Sequence, residues 1–422
     1  MAVLIPSLSI TDHQLFISSV IPCTILSAVV LITGVLSLCW PQWFGKCSTV
    51  LTPPVAPAAT QDSFPDLDGT DQGSDILASV SMQGILKLFS FGSRISPIIP
   101  SPEKTLLPKL STEEQAGLAY HPGSLPGGRW LQTPTGRIRV YEFGPENGKR
   151  VLFVHGISTP SIVARDMLTN LARRGCRIIA FDLPGRGYSE CCKITPHDMR
   201  LYSALILMVT TSSTAPGGFF PFNIIGYSLG GGITVSFASQ FPHLISSIVV
   251  LSSSGLLPYS MAPFGMKCCL FPWVPVWLAD KLLTSQLKGE EEAPLDAMVK
   301  PTEPHAEPLD IFSVIKWQNR HQKGFMSGYI NSMRNGPIFD RVDEWKRVGR
   351  FLREGSFAGK AEKMLVFYGE KDDLTPPFLL ERVKECVGGE QVKSVIVEDG
   401  THEIIVYQWD RILAEVVDFW GL

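Results

Sequence analysis

The pentapeptide Gly226-Tyr227-Ser228-Leu229-Gly230 constrains the fold more than any other stretch of this chain. An apolar run, Phe222-Asn223-Ile224-Ile225, leads into it, and a helix-like segment from Gly231 to Gln240 leaves it. A serine set on a sharp strand-to-helix turn takes strained backbone angles. Side chains beside it clash, so both flanks must be small, and both are glycine here. The same turn aims the N–H of Leu229, at a helix start, toward an oxygen that gains negative charge. A serine hydroxyl stays a weak nucleophile until a base removes its proton. The chain must therefore supply a base and a group that orients it.

Three further strand ends supply candidates. The apolar run Val151 to Val154 ends in His155-Gly156-Ile157-Ser158, where Gly156 permits a tight bend and the N–H of Ile157 offers a second oxyanion donor. Met364 to Tyr368 reads as a buried strand running into Gly369-Glu370-Lys371-Asp372. Ser394 to Val397 leads to Asp399-Gly400-Thr401-His402, with a helical segment from Glu403. Ser228, Asp372 and His402 thus each follow a predicted strand, in the order Ser, Asp, His. Parallel sheets gather functional groups at the carboxyl ends of their strands, so these loops are expected to converge.

In these pieces, with Phe181-Asp182-Leu183-Pro184-Gly185-Arg186-Gly187-Tyr188-Ser189, the chain resembles the α/β-hydrolase superfamily over about residues 125–422. The nearest likeness is to lid-bearing, membrane-anchored serine hydrolases, including monoacylglycerol-lipase-like enzymes and fungal α/β-hydrolases. The resemblance implies a mostly parallel sheet flanked by helices, an inserted helical lid and a Ser–His–Asp triad of Ser228, His402 and Asp372. It also implies cofactor-free hydrolysis, most often of esters. Superfamily members that open epoxides or remove halides use Asp as nucleophile, and Ser228 argues against those reactions.

Each residue has a plainer reading. Asp373 rivals Asp372, and the Gly-x-x-Asp spacing selects Asp372. Asp182, ahead of a Pro-Gly-Arg-Gly turn, reads as structural, and Ser252, Ser253 and Ser254 read as loop.

The organisation expected is a membrane anchor over 1–45, a linker with an amphipathic segment over 46–110, a core over 111–255 and 341–422, and a lid over 256–340. Leu15 to Trp40 is uncharged and largely apolar, long enough to cross the hydrocarbon as a helix. Without a basic n-region it reads as an uncleaved single-pass anchor. The expected setting is an endomembrane such as the endoplasmic reticulum, with the catalytic domain facing the cytosol. Residues 50–75, rich in Pro, Ala, Asp, Gly, Ser and Thr, read as linker, and Asp75 is placed to cap an apolar helix. Ser111-x-x-Glu114 has capping-box spacing. Trp130 to Gln132 and Arg137 to Phe143 flank Pro134-Thr135-Gly136 as a hairpin opening the sheet.

Between Gly255 and about Asp340 the strand–helix alternation stops. Cys268 to Leu278 is strongly apolar and includes Trp273 and Trp277. It reads either as a cap packed on the core or as an acyl-binding or bilayer-touching surface. Trp317, His321 and Phe325 recur every four residues as one helix face, either lining a pocket entrance or packing.

Net charge is −3, with no long basic stripe, so nucleic acid is not expected as a partner. Nine cysteines contain no C-x-x-C pair, no metal-ligand cluster stands out, and no cofactor is expected. The leading expectation is a membrane-anchored serine hydrolase cleaving esters of apolar acyl groups, with a lipid-like substrate and membrane lipid as partners. Acyl transfer to an acceptor, carbon–carbon bond hydrolysis with the same triad, and a catalytically inactive ligand-binding fold are the alternatives.

Overall fold

The structure is a computed structural model that describes residues 97–262, 266–267, 270–271, 274–287 and 309–422. The expected anchor at 15–40, the linker at 50–75, the helix after Asp75 and Trp273 lie outside the described residues. Among those described, no helix is long and apolar enough to cross a membrane.

The described chain opens with β1 (Ile98–Ile99) and two short helices, α1 (Pro102–Thr105) and α2 (Thr112–Ala116). At α2 the capping box forms: Glu114 N donates to Ser111 Oγ, and Ser111 N to Glu114 Oε2. The hairpin β2 (Gly128–Thr133) and β3 (Gly136–Phe143) follows. Then come β4 (Lys149–Val154), α3 (Arg165–Arg173), β5 (Cys176–Phe181), β6 (Cys191–Cys192) and α4 (Met199–Thr211). The strand-to-helix elbow at Ser228 sits between β7 (Phe222–Tyr227) and α5 (Leu229–Ala238), and β8 (Ile245–Leu251) follows.

The insertion carries α6 (Val276–Leu287), α7 (Ile311–His321) and α8 (Phe325–Asn335). The chain closes with α9 (Val342–Glu354), β9 (Met364–Gly369), α10 (Leu379–Val387), β10 (Val392–Val397), α11 (Ile404–Tyr407) and α12 (Trp409–Trp420).

Eight strands form one sheet in the order β10-β9-β8-β7-β4-β5-β3-β2, parallel from β10 to β5, with the hairpin antiparallel at the edge. Parallel strands covered on both faces read as continuous apolar runs. Along each, alternate residues feed opposite cores. Leu152, Ile224, Val250 and Val366 pack under α4, α5, α9 and α10. Phe153, Ile225, Val249 and Leu365 pack under α3, α11 and α12. Truncating a buried Phe such as Phe153 to Ala costs about 3–5 kcal/mol.

The register levels the carboxyl ends. Val154 pairs with Gly226, Tyr227 with Leu251, Leu251 with Phe367, and Gly369 with Val397. The loops carrying His155, Ser228, Asp372 and His402 therefore leave one edge of the sheet together. That level edge builds the site.

The insertion is pinched at its base. Gly255 N donates to Ile338 O at 2.8 Å, Arg341 N to Gly255 O at 2.7 Å, and Asp340 N to Leu257 O at 3.0 Å. One sequence expectation fails here. Trp317, His321 and Phe325 do not share a helix, because α7 stops at His321 and α8 starts at Phe325. Gln322 turns to extended backbone (ψ 95°). Its side chain donates to the carbonyls of Gly187 (3.0 Å) and Ser189 (2.9 Å) while its Oε1 accepts from Gly324 N. Those distant carbonyls win over local helix continuation.

Candidate active site

Ser228 sits at the N-cap of α5 with φ 55°, a left-handed conformation that a non-glycine residue rarely holds, at a cost of order 1–3 kcal/mol. Backbone bonds around it hold that geometry. Ser228 N donates to Leu251 O at 3.0 Å, and its carbonyl accepts from Gly231 N (2.9 Å) and Ser254 N (3.0 Å). Ser254, in the loop after β8, thus buttresses the elbow. Close approach dictates both flanking glycines. A Cβ on Gly226 would lie 2.4 Å from Gly230 O, and one on Gly230 would lie 2.0 Å from Val154 O.

The three distant side chains meet. His402 Nε2 lies 3.0 Å from Ser228 Oγ, and His402 Nδ1 lies 2.9 and 3.1 Å from the Asp372 oxygens. Asp372 is 2% exposed, whereas Asp373 is exposed. Burial pushes the Asp372 carboxyl up. The hydrogen bond and charge of the His402 ring, with donation from Thr375, outweigh burial and hold it below the ordinary carboxylate value. Thr375 donates from both N and Oγ1 at 2.7 Å, and Leu374 N adds a third bond. Two loop bonds keep the pair in register: Lys371 N to Gly400 O (2.7 Å) and Glu370 N to Val397 O (3.0 Å).

Leu229 follows Ser228 directly, and the turn that carries Ile157 packs against the same serine. Leu229 is the first residue of α5, so its N–H has no intrahelical acceptor. A methyl on Gly156 would sit 3.2 Å from Ser228 Cβ, which places the 155–158 turn against the elbow. Three consecutive carbonyls of that turn are gripped by buried side chains from three elements. His155 Nδ1 is 2.7 Å from Gly156 O, Arg186 Nε donates to Ile157 O at 3.0 Å, and Gln318 Nε2 to Ser158 O at 2.8 Å. Leu183 N donates to His155 Nε2 at 2.7 Å, so the ring proton resides on Nδ1 and points at Gly156 O. Burial lowers His155 to about 3, with the nearby Arg186 charge adding to the fall and the Gly156 bond opposing it. In a trans peptide the N–H of Ile157 points opposite to the Gly156 carbonyl. Fixing that carbonyl fixes the donor.

Comparison with known proteins follows the same outline. A family model described as alpha/beta hydrolase fold matches residues 149–275, from β4 through the elbow into the insertion. The uncharacterized hydrolase YugF of Bacillus subtilis is 31% identical over 247 residues, 56% of this chain and 78% of that protein. The chain belongs to the α/β-hydrolase superfamily. A serine hydrolase-like protein of Danio rerio is 30% identical over 133 residues, 30% of this chain but only 38% of that relative's length. Among solved structures, an esterase (EaEST) from Exiguobacterium antarcticum superposes with TM-score 0.52 at 16% identity, covering 70% of this chain and 100% of that one. That likeness is one of fold.

This α/β-hydrolase distributes the predicted insertion residues unevenly. Trp277 on α6 is 63% exposed, with Lys281 Nζ 5.9 Å from its ring. Trp317 is 5% exposed and packs edge-on to Tyr120 at 5.8 Å and against Tyr188 at 5.4 Å, below the GRG turn. Phe325 is 2% exposed, and His321 is partly buried with its ring 6.1 Å from Trp317. Trp317 and Phe325 are both buried in packing contacts, and the helix end at Gln322 puts them on different helices. Among the described residues, no hydrogen bond or ring contact joins any of these four to Ser228 or His402.

Asp182 has a structural environment. It accepts from Ser161 N, Tyr188 N and Tyr120 Oη, all three residues buried and drawn from separate segments, and burial raises its carboxyl. Sequence reasoning missed Thr375, Gln318, Gln322 and the contacts of Arg186. Arg186 alone left a trace: a cation inside a Pro-Gly-Arg-Gly turn at a strand end.

Proposed function

We propose that this α/β-hydrolase cleaves carboxylic esters of apolar acyl groups through an acyl-serine intermediate. One observation carries the reading: His402 lies 3.0 Å from Ser228 Oγ on one ring nitrogen and 2.9 Å from Asp372 on the other. A lone turn serine does not need such a relay. In the reaction, Ser228 Oγ adds to the ester carbonyl carbon as His402 Nε2 takes its proton. Asp372, held as a carboxylate, fixes the Nδ1–H tautomer and stabilises the imidazolium. The N–H groups of Leu229 and Ile157 bind the tetrahedral oxyanion. The ester C–O bond breaks, His402 returns its proton to the leaving alcohol, and acyl-Ser228 remains. Water then adds to the acyl carbon, giving a proton to His402. The carboxylic acid departs and Ser228 recovers its proton.

Apolar acyl preference is supported by the exposed Met261, Phe271 and Trp277 on the outer insertion and by the apolar 15–40 stretch. The proposal includes a membrane tether at that stretch; release of full-length protein by alkaline carbonate would remove it. The core test is fluorophosphonate labelling. The parent protein should label at Ser228, and Ser228→Ala should lose labelling and on the order of 10⁶ in ester turnover. Ester hydrolysis surviving at the parental rate in Ser228→Ala would end the assignment.

A further inference from the structure

Arg186 is a buried cation with no carboxylate partner among the described residues. It is 0% exposed. Its Nε donates to Ile157 O (3.0 Å), one terminal nitrogen to Pro184 O (2.8 Å) and the other to Ser332 Oγ on α8 (2.7 Å). A guanidinium stays charged in proteins, and taking it out of water without a counter-ion costs several kcal/mol. Fold stability alone is served better by an apolar residue of that size. The cation also stands close enough to depress the neighbouring His155 and His197 rings.

We propose that Arg186 is a positioning residue for acyl transfer, which sets the Ile157 oxyanion donor and takes its own position from the insertion through Ser332. This rests on the serine-hydrolase reading above. The physical argument runs through the two peptides that flank Ile157. His155 holds the Gly156 carbonyl on one side, and Arg186 holds the Ile157 carbonyl on the other. With both peptide planes gripped, Ile157 loses its backbone freedom and its N–H keeps one direction. The planar fork serves this purpose because it reaches three acceptors on three elements at once; an ammonium reaches fewer in fixed geometry. Ser332 itself is anchored, donating to Gly328 O (2.7 Å) and bonded to Tyr202 Oη (2.8 Å). The docked insertion thus completes the hold on the oxyanion turn.

The test uses full-length protein, a short-chain p-nitrophenyl ester, and fluorophosphonate labelling carried to its end point to count active molecules. Arg186→Met should lower kcat per titrated site about 10–100-fold with KM changed less than about threefold, the loss typical of a misplaced group near the chemistry. Arg186→Lys should recover part of that loss, and Ser332→Ala should lose about 3–10-fold in kcat alone. A purely structural arginine predicts fewer titratable molecules with an unchanged kcat per site, and that result overturns the proposal. If Arg186→Met yields no folded protein, the same criterion is read from Arg186→Lys and Ser332→Ala. Failure of the parent to label would instead sink the serine-hydrolase reading.

Discussion

In the outer half of the insertion Met261, Phe271 and Trp277 stand exposed, Trp277 to 63%, whereas in the docked half Ile311, Trp317 and Phe325 are 5% exposed or less. Phe312, at the start of α7, is the docked half's exception. Polar groups divide the same way. Gln318, Gln322 and Ser332 in α7, α8 and their joint are buried and bonded to the 155–158 turn or the 185–189 turn. The outer half meets the rest through a small apolar patch, Val274 and Ala279 against Ile330, through the Tyr259 ring against Phe339, and through a few bonds such as Arg334 to the Val274 carbonyl. One inserted segment therefore contains a wall bonded to the 155–158 turn and a second part that stands exposed. The difference teaches that "lid" names two physical objects here.

Truncating the docked wall should have the largest effect on stability. Trp317→Ala removes an indole packed between Tyr120 and Tyr188, and should destabilise the protein by about 3–5 kcal/mol, read from urea unfolding midpoints. A change below about 1 kcal/mol would mean that α7 is not part of the cooperative core. The two halves would then differ in exposure alone.

Acid should loosen the docked half next. His155 and His197 are both 0% exposed, and both are lowered to about 3, by burial first and by the Arg186 charge in addition. His197 N donates to Asn331 Oδ1, and its ring faces Ser332, so it sits under α8. The ordinary histidine value is 6.5. Below it the unfolded chain binds two protons that the fold refuses. The stability present above pH 6.5 is therefore lost as pH falls toward 3. Each histidine contributes about 1.4 kcal/mol of loss per pH unit in that window, so about 3 kcal/mol should be gone by pH 5.5. Unfolding midpoints at pH 7.5 and 5.5 measure it, and His197→Gln should remove about half of the difference. Equal midpoints would show that neither ring is held neutral.

The same contrast separates what the chain's sequence displays from what it hides. The elbow, the His155-Gly156 turn, the β2–β3 hairpin and the Ser111 capping box are local patterns whose cause lies within a few residues, and the structure contains each one. The Ser228, Asp372 and His402 loops could be placed together because each ends a strand of one parallel sheet. The docked wall offers no such cue. Gln318 reaches Ser158 across 160 positions, and Arg186 reaches Ser332 across 146. A four-residue recurrence from Trp317 to Phe325 concealed the break at Gln322. The acceptors that cause that break lie 133 and 135 positions away. Side-chain period reports a helix only while the backbone has no better partner.

The smallest effect on stability, and the sharpest on the comparison, should come from Trp277→Ala. At 63% exposure the indole has little packing to lose, and surface substitutions of this kind usually change stability by less than about 0.5 kcal/mol. An exposed tryptophan, next in the chain to exposed Leu278, still presents apolar area that water does not favour. With Lys281 beside the ring, that area suits the boundary of a lipid surface, where an amphipathic ring and a cation are both accommodated. The variant should keep the parental unfolding midpoint and the parental rate on a water-soluble short-chain ester. Its rate on long-chain esters dispersed in phosphatidylcholine vesicles should fall several-fold, because the outer half then presents less apolar surface to the interface. Equal rates on both substrates would assign Trp277 no interfacial role, leaving the outer half as simple cover. A fall in both rates would instead tie it to the docked wall and erase the division between the two halves.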